Sequence, residues 1–259
     1  MKNAQDLQSL QSTLYGLRLW GLRDVWLPGK APAQTRPTDS RETRELQGPE
    51  TGPSPAREEP AQNAAAREAQ REAKTKLLKE IREDLGDCRR CPLHRGRTQI
   101  VFGEGDAAAR LVFVGEGPGA DEDRLGRPFV GQAGQLLNKM IGAMGWRREQ
   151  VYICNVVKCR PPGNRMPLPE EIERCAPFLV RQLEAVRPQV ICSLGACASQ
   201  TLLGTNRPIS ELRQKIHVWR GIPLIATYHP AYLLRNGAKK ADTWKDLQRV
   251  MELLTSFDA

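Results

Sequence analysis

Apolar residues recur along this chain in two rhythms, and the changes between them divide it. Residues 4–26 set Leu7, Leu10, Leu14, Leu17 and Trp20 at three- and four-residue intervals, which predicts a short amphipathic helix within a segment 1–30. Gly16 and Gly21 weaken that helix. Residues 31–70 contain no Ile, Val, Phe, Tyr or Trp and a single Leu. So little apolar surface cannot offset the entropy of ordering, so this stretch is expected to be a disordered linker. A helical pattern resumes over 71–86, with Gly86 placed to end it. The remaining unit, 71–259, holds enough Val, Ile and Leu to build a core.

Beyond residue 110 the rhythm alternates. LVFVGE (111–116), VYICNVVK (151–158), QVICSLG (189–195) and IPLIATYHP (222–230) are short apolar runs of strand type, and HVWRG reads as a hairpin arm before the last of them. Helical patterns lie between them: GQLLNKMIGAM (134–144), the segment after Pro169, ACASQTLLG, and a C-terminal helix over about 240–256. Pro177 is expected to bend or break the second of these. Alternation of this kind predicts an α/β layered fold around a mostly parallel central sheet of four strands. In such sheets ligands bind beyond the carboxyl ends of the strands. Three polar groups follow strands here: GEGPGADED (115–123), Asn155 and His229. They are expected to converge on one rim, although they are remote in sequence.

Charge narrows the class of ligand. The formal net charge is +9, which favours polyanionic partners, nucleic acid first. No run approaches the roughly 18 apolar residues of a membrane span, and the first residues lack the apolar core of a signal peptide. A reducing, cytoplasmic setting is therefore expected, where spaced cysteines signify metal ligands more often than disulfides. The GEGPGADED turn is a poor phosphate cradle, because Glu116, Asp121, Glu122 and Asp123 would repel an anion. A neutral or electron-deficient ligand suits it better.

Four of the seven cysteines form a pattern. Cys88 and Cys91 make a CxxC, Cys159 follows the second strand, and Cys175 comes sixteen residues later. Zinc would take such a set as a tetrahedron and a 4Fe–4S cluster would take one thiolate per iron; spacing does not separate the two. Cys154, Cys192 and Cys197 sit in apolar runs and read as small core residues.

Three stretches, GEGPGADEDRLGRPFVGQAGQLLNKM, NVVKCRPPGNRMPLPEEIERC and HPAYLLRN, resemble the family 4 uracil-DNA glycosylases in the same order, and the cysteine frame matches as well. The resemblance covers roughly residues 85–256. A related branch that traps its product covalently carries a KRRIH-type insertion; here only GTNRPIS stands between Leu203 and Glu211. The resemblance implies a three-layer αβα fold, excision of uracil from DNA, and a 4Fe–4S cluster on Cys88, Cys91, Cys159 and Cys175. It implies that Phe129 stacks on the flipped base, that Asn155 reads its polar edge, and that Glu116 and Gly117 line the pocket through backbone groups. His229 would donate to uracil O2, and Glu122, near the base, would be the second catalytic residue, activating the attacking water. HPAYLLRN would form a loop entering the duplex, with Leu233 or Leu234 as wedge and Arg235 on phosphate. The expected partner is uracil-containing DNA, met by a monomer; the N-terminal helix either docks a further protein partner or folds back onto the main domain. Two other readings stay open: a glycosylase of wider scope, and a nucleic-acid-binding module associated with a DNA polymerase.

Overall fold

In the computed structural model, which describes residues 61–258, the four apolar runs lie side by side as parallel strands. They are β2 (Leu111–Gly115), β3 (Tyr152–Asn155), β4 (Val190–Leu194) and β6 (Ile222–Thr227), in the spatial order β3-β2-β4-β6. Nearly every residue in them is buried, as in a parallel sheet covered on both faces. Alternate residues serve opposite layers. Val112 and Val114 pack with Leu85, Phe178 and Leu179 on one side, while Leu111 and Phe113 pack with Leu137, Met140 and Leu247 on the other.

The sheet has six strands rather than the expected four. Both additions are antiparallel edges: β1 (Glu104–Gly105) on β3, and β5 (Ile216–Trp219) on β6. β1 is two residues with no apolar alternation, so periodicity could not reveal it. β5 is the hairpin arm, joined to β6 across Arg220 and Gly221, both at positive φ (46° and 83°), as tight hairpin turns require.

The helices are α1 (Ala61–Leu85), α2 (Ala120–Leu125), α3 (Gln132–Ala143), α4 (Pro169–Val186), α5 (Ala196–Leu203), α6 (Ile209–Leu212), α7 (Pro230–Arg235) and α8 (Lys240–Ser256). Helix α1 starts ten residues earlier than expected, inside the stretch read as linker. The sequence there, AQNAAAREAQ, lacks Gly and Pro and is rich in strong helix formers, and Leu78, Ile81 and Leu85 further along anchor the helix to the core. Gly86, at φ 51°, ends it as expected. The rest of the expected linker, up to residue 60, and the segment 4–26 lie outside the described residues. Helix α4 is not broken by Pro177; Phe178, Leu179 and Leu183 bury it against the sheet and outweigh the lost backbone bond. No described helix is long and apolar enough to cross a membrane.

Register decides what meets at the rim. Gly115 pairs with Asn155, and Leu194 with Thr227. The carboxyl ends of β2, β3, β4 and β6 therefore finish level, and Glu116, Asn155 and His229 emerge together.

Candidate active site

A cavity of about 380 Å³ opens on that rim, lined among others by Glu116, Gly117, Glu122, Phe129, Asn155, His229, Tyr232 and Arg235. Its size suits a small ring-shaped ligand. Asn155 closes β3, and the Nζ of the wholly buried Lys158 donates to its backbone carbonyl at 2.6 Å. The Asn155 side chain is 1 % exposed, and neither its Oδ1 nor its Nδ2 has a hydrogen-bond partner. A buried amide left unpaired costs roughly 1–3 kcal/mol, and a ligand that offered a donor beside an acceptor would satisfy both of its atoms.

Phe129 forms one wall. Its ring centroid lies 5.6 Å from that of His229, and its backbone is left-handed at φ 51°, a conformation costing about 1–2 kcal/mol for a side chain of this bulk. Gly115 makes the arrangement possible. A Cβ there would come within 2.4 Å of Asn155 Oδ1 and 2.5 Å of Phe129 Cζ.

His229 is the N-cap of α7, and its Nδ1 accepts a hydrogen bond from the Ala231 N–H at 3.1 Å. An accepting Nδ1 leaves the ring proton on Nε2. Burial lowers the His229 pKa to about 4, although Glu122 acts in the opposite direction. The ring is therefore neutral near pH 7 and still a donor. Glu116 also lines the cavity, and burial holds its carboxyl above the usual carboxylate range.

Glu122 sits in the cavity wall, and its oxygens are engaged by backbone amides: Oε2 by Gly119 at 3.1 Å, and Oε1 by Val130 and Gly131 at 2.8 and 2.9 Å. A carboxylate so engaged braces the turn before α2 and the loop after Phe129. Asp123 acts similarly, receiving the Thr98 amide at 2.9 Å.

HPAYLLRN departs from expectation, because Pro230–Arg235 is a short helix rather than a loop. Proline at its first position and the capping imidazole explain the start. The helix separates the two wedge candidates: Leu233 is fully buried in the core and cannot enter DNA, whereas Leu234 is 48 % exposed. Arg235 lines the cavity. Arg165 lines it too, but it is paired with the buried Glu171 at 2.7 Å. Sequence reading missed Tyr232 as a lining residue; nothing in its spacing marked it. His94 and His217 are structural, each with a ring nitrogen against a nearby carbonyl, of Cys91 and Leu212 respectively.

Cys88, Cys91, Cys159 and Cys175 line one small cavity beneath Arg97 and Lys158. Their sulfurs receive donors from the protein: Arg90 Nη1 to Cys88 at 3.4 Å, Arg97 Nη1 to Cys159 at 3.3 Å, and the Lys158 amide to Cys175 at 3.3 Å. Burial pushes the Cys159 thiol up to about 11 despite Arg97. Cys154, Cys192 and Cys197 are buried elsewhere in the core, and no described cysteine forms a disulfide.

Residues 102–248 match the family model of the uracil DNA glycosylase superfamily. A type-4 uracil-DNA glycosylase of Thermotoga maritima is 51 % identical over 162 residues, covering 62 % of this chain and 84 % of that protein. One of Archaeoglobus fulgidus is 45 % identical over 184 residues, covering 68 % and 92 %. A type-5 uracil-DNA glycosylase of Pyrobaculum aerophilum is more distant, at 30 % over 200 residues, covering 64 % and 88 %. On this likeness, and on the layered sheet whose rim holds the cavity, the chain belongs to the type-4 uracil-DNA glycosylases.

Proposed function

We propose that this protein hydrolyses the N-glycosidic bond of deoxyuridine in DNA, releasing uracil and leaving an abasic site. The observation that carries the reading is the unpaired, buried Asn155 amide. Uracil presents N3–H beside O4, a donor next to an acceptor, which Oδ1 and Nδ2 complement. Cytosine presents the reverse pattern at those positions.

A base inside a duplex must be rotated out to reach such a pocket, at a cost of a few kcal/mol. Stacking on Phe129 and pairing with Asn155 offset part of that cost. Bond cleavage then leaves negative charge on uracil and positive charge on the sugar. The Nε2–H of neutral His229 meets the charge developing on O2, as donors do in an oxyanion hole. Glu116 lines the cavity, its carboxylate makes no hydrogen bond among the described residues, and it is a second acid, in addition to Glu122, able to orient the attacking water. Arg235, in the cavity lining, suits a phosphate contact, and the exposed Leu234 beside it in sequence suits a wedge.

The cysteine cavity supports a resident cluster. The four thiols share one cavity. The likeness to the type-4 enzymes, rather than the arrangement of the thiols, favours a 4Fe–4S group with one thiolate per iron over a tetrahedral zinc. Cys88, Cys91, Cys159 and Cys175 would hold it, and its contribution would be structural: tying the CxxC loop, the segment after Asn155 and α4 together.

The test is base release from oligonucleotides carrying uracil, cytosine, thymine or hypoxanthine, single-stranded and in mismatched duplexes. Uracil release by the wild type and a loss of about tenfold to a hundredfold in uracil affinity for Asn155→Ala are expected. Equal release of hypoxanthine would favour the wider-scope reading, and release of no base would favour a binding module.

A further inference from the structure

The wall residue Phe129 is held in its left-handed conformation from two sides. Glu122 takes the amides that follow it, at Val130 and Gly131. Behind the cavity, Arg148 takes the carbonyls: Nη1 donates to Phe129 O at 3.1 Å, and Nη2 donates to Pro128 O at 2.5 Å. Arg148 does not line the cavity. Its guanidinium is anchored in turn, with Nε and Nη2 on Glu104 Oε1 at 2.8 and 2.6 Å and Nη1 on Asn138 at 2.8 Å. Glu104 is fixed by the two-residue strand β1 and by Arg127 at 2.7 Å. The Phe129 carbonyl is also confined from the start of α3, where a Cβ on Gly134 would meet it at 1.9 Å.

Few side chains could do this. The site needs donors fanning in one plane toward two carbonyls, a carboxylate and an amide oxygen. A guanidinium supplies that fork and an ammonium does not. Strained backbone at a binding wall persists only where its surroundings over-determine it. With the arginine removed, two carbonyls lose charged donors and the bulky residue is free to relax toward an extended conformation.

We infer that Arg148, braced by Glu104, is a positioning residue that fixes the Phe129 ring and thereby sets how tightly the pocket holds the flipped base. The inference rests on the uracil reading above. Its signature is selective: it touches capture of the base and not the grip on the DNA backbone.

Wild-type release of uracil from a single-stranded oligonucleotide is measured first; its absence would sink the uracil reading itself, before any variant is made. Arg148→Met, Arg148→Lys and Glu104→Gln then follow, each alone and combined with Phe129→Ala. For Arg148→Met, the KM for the uracil oligonucleotide and the inhibition constant of free uracil should both rise about tenfold or more. kcat should fall less, and affinity for an abasic-site oligonucleotide should hold. Arg148→Lys should recover little of the loss. Glu104→Gln should show the same pattern more weakly, and it carries the test if the arginine variants do not fold. In the Phe129→Ala background these changes should add almost nothing, since residues acting through one another are not additive. Losses that add in the double variants, equal weakening for abasic DNA, or an unchanged uracil inhibition constant in Arg148→Met or Glu104→Gln would overturn the inference.

Discussion

The imidazole of His229 offers the sharpest test of the chemistry. Its Nδ1 is occupied by the Ala231 N–H at 3.1 Å, so Nε2 must carry the proton. With burial lowering the pKa to about 4, only on the order of one ring in a thousand is protonated at pH 7. In the proposed reaction the ring would thus meet a developing oxyanion as a neutral donor already in place. Removing one such donor typically costs about 2.7–4 kcal/mol of barrier, or roughly a hundredfold to a thousandfold in rate. His229→Ala should lose that much in single-turnover release of uracil from a single-stranded oligonucleotide, while its binding to abasic DNA changes far less. Nitrogen NMR of the wild type, which has three histidines, should show one ring with an Nε2–H tautomer that stays neutral below pH 6. The sign for stability follows. The folded pKa lies below the unfolded value of about 6.5, so stability is whole above that value and declines as pH falls toward 4. A variant within tenfold of wild type, an Nδ1–H tautomer, or a ring titrating above pH 6 would refute this reasoning.

Other outcomes follow from particular residues. Glu116→Gln should slow release and remove the acid limb of the pH–rate profile; burial raises this carboxyl, so the wild-type rate should fall at a higher pH than for an ordinary carboxylate. An unchanged limb would mean that another group handles the water. Leu233→Ala should cost about 2–5 kcal/mol of stability, as core truncations do, whereas Leu234→Ala should leave the melting temperature alone and weaken activity on duplex DNA; reversed effects would invert the wedge assignment. The purified protein should be brown and carry iron, and Cys175→Ser should lose colour and thermal stability together. Colourless protein with stoichiometric zinc would remove the cluster.

Much of this site was legible because its residue types are costly anywhere else. An asparagine ending an apolar strand, a histidine before proline after another, and a glycine–acid turn after a third already implied one rim, since parallel strands align their carboxyl ends. The CxxC with two later cysteines announced a shared site in the same way. Arg148 carried no such mark: it is one arginine among many, and only the backbone it meets gives it a task. The bracing by Glu122 was hidden for the converse reason. Its sequence context marks it as acidic and near the turn, but the three amides that occupy its oxygens come from two separate segments.

Local rules were thus enough for the elements, because period, turn residues and capping chemistry act within a few residues. They brought out the strands of the central sheet and most of the helices. They also separated the four clustered cysteines from those of the core. Three-dimensional packing alone decided the edge strand β1, the burial of Leu233 beside the exposure of Leu234, and the left-handed backbone of Phe129. Each of those depends on contacts between segments tens of residues apart, and free energies of that origin leave no period in the chain.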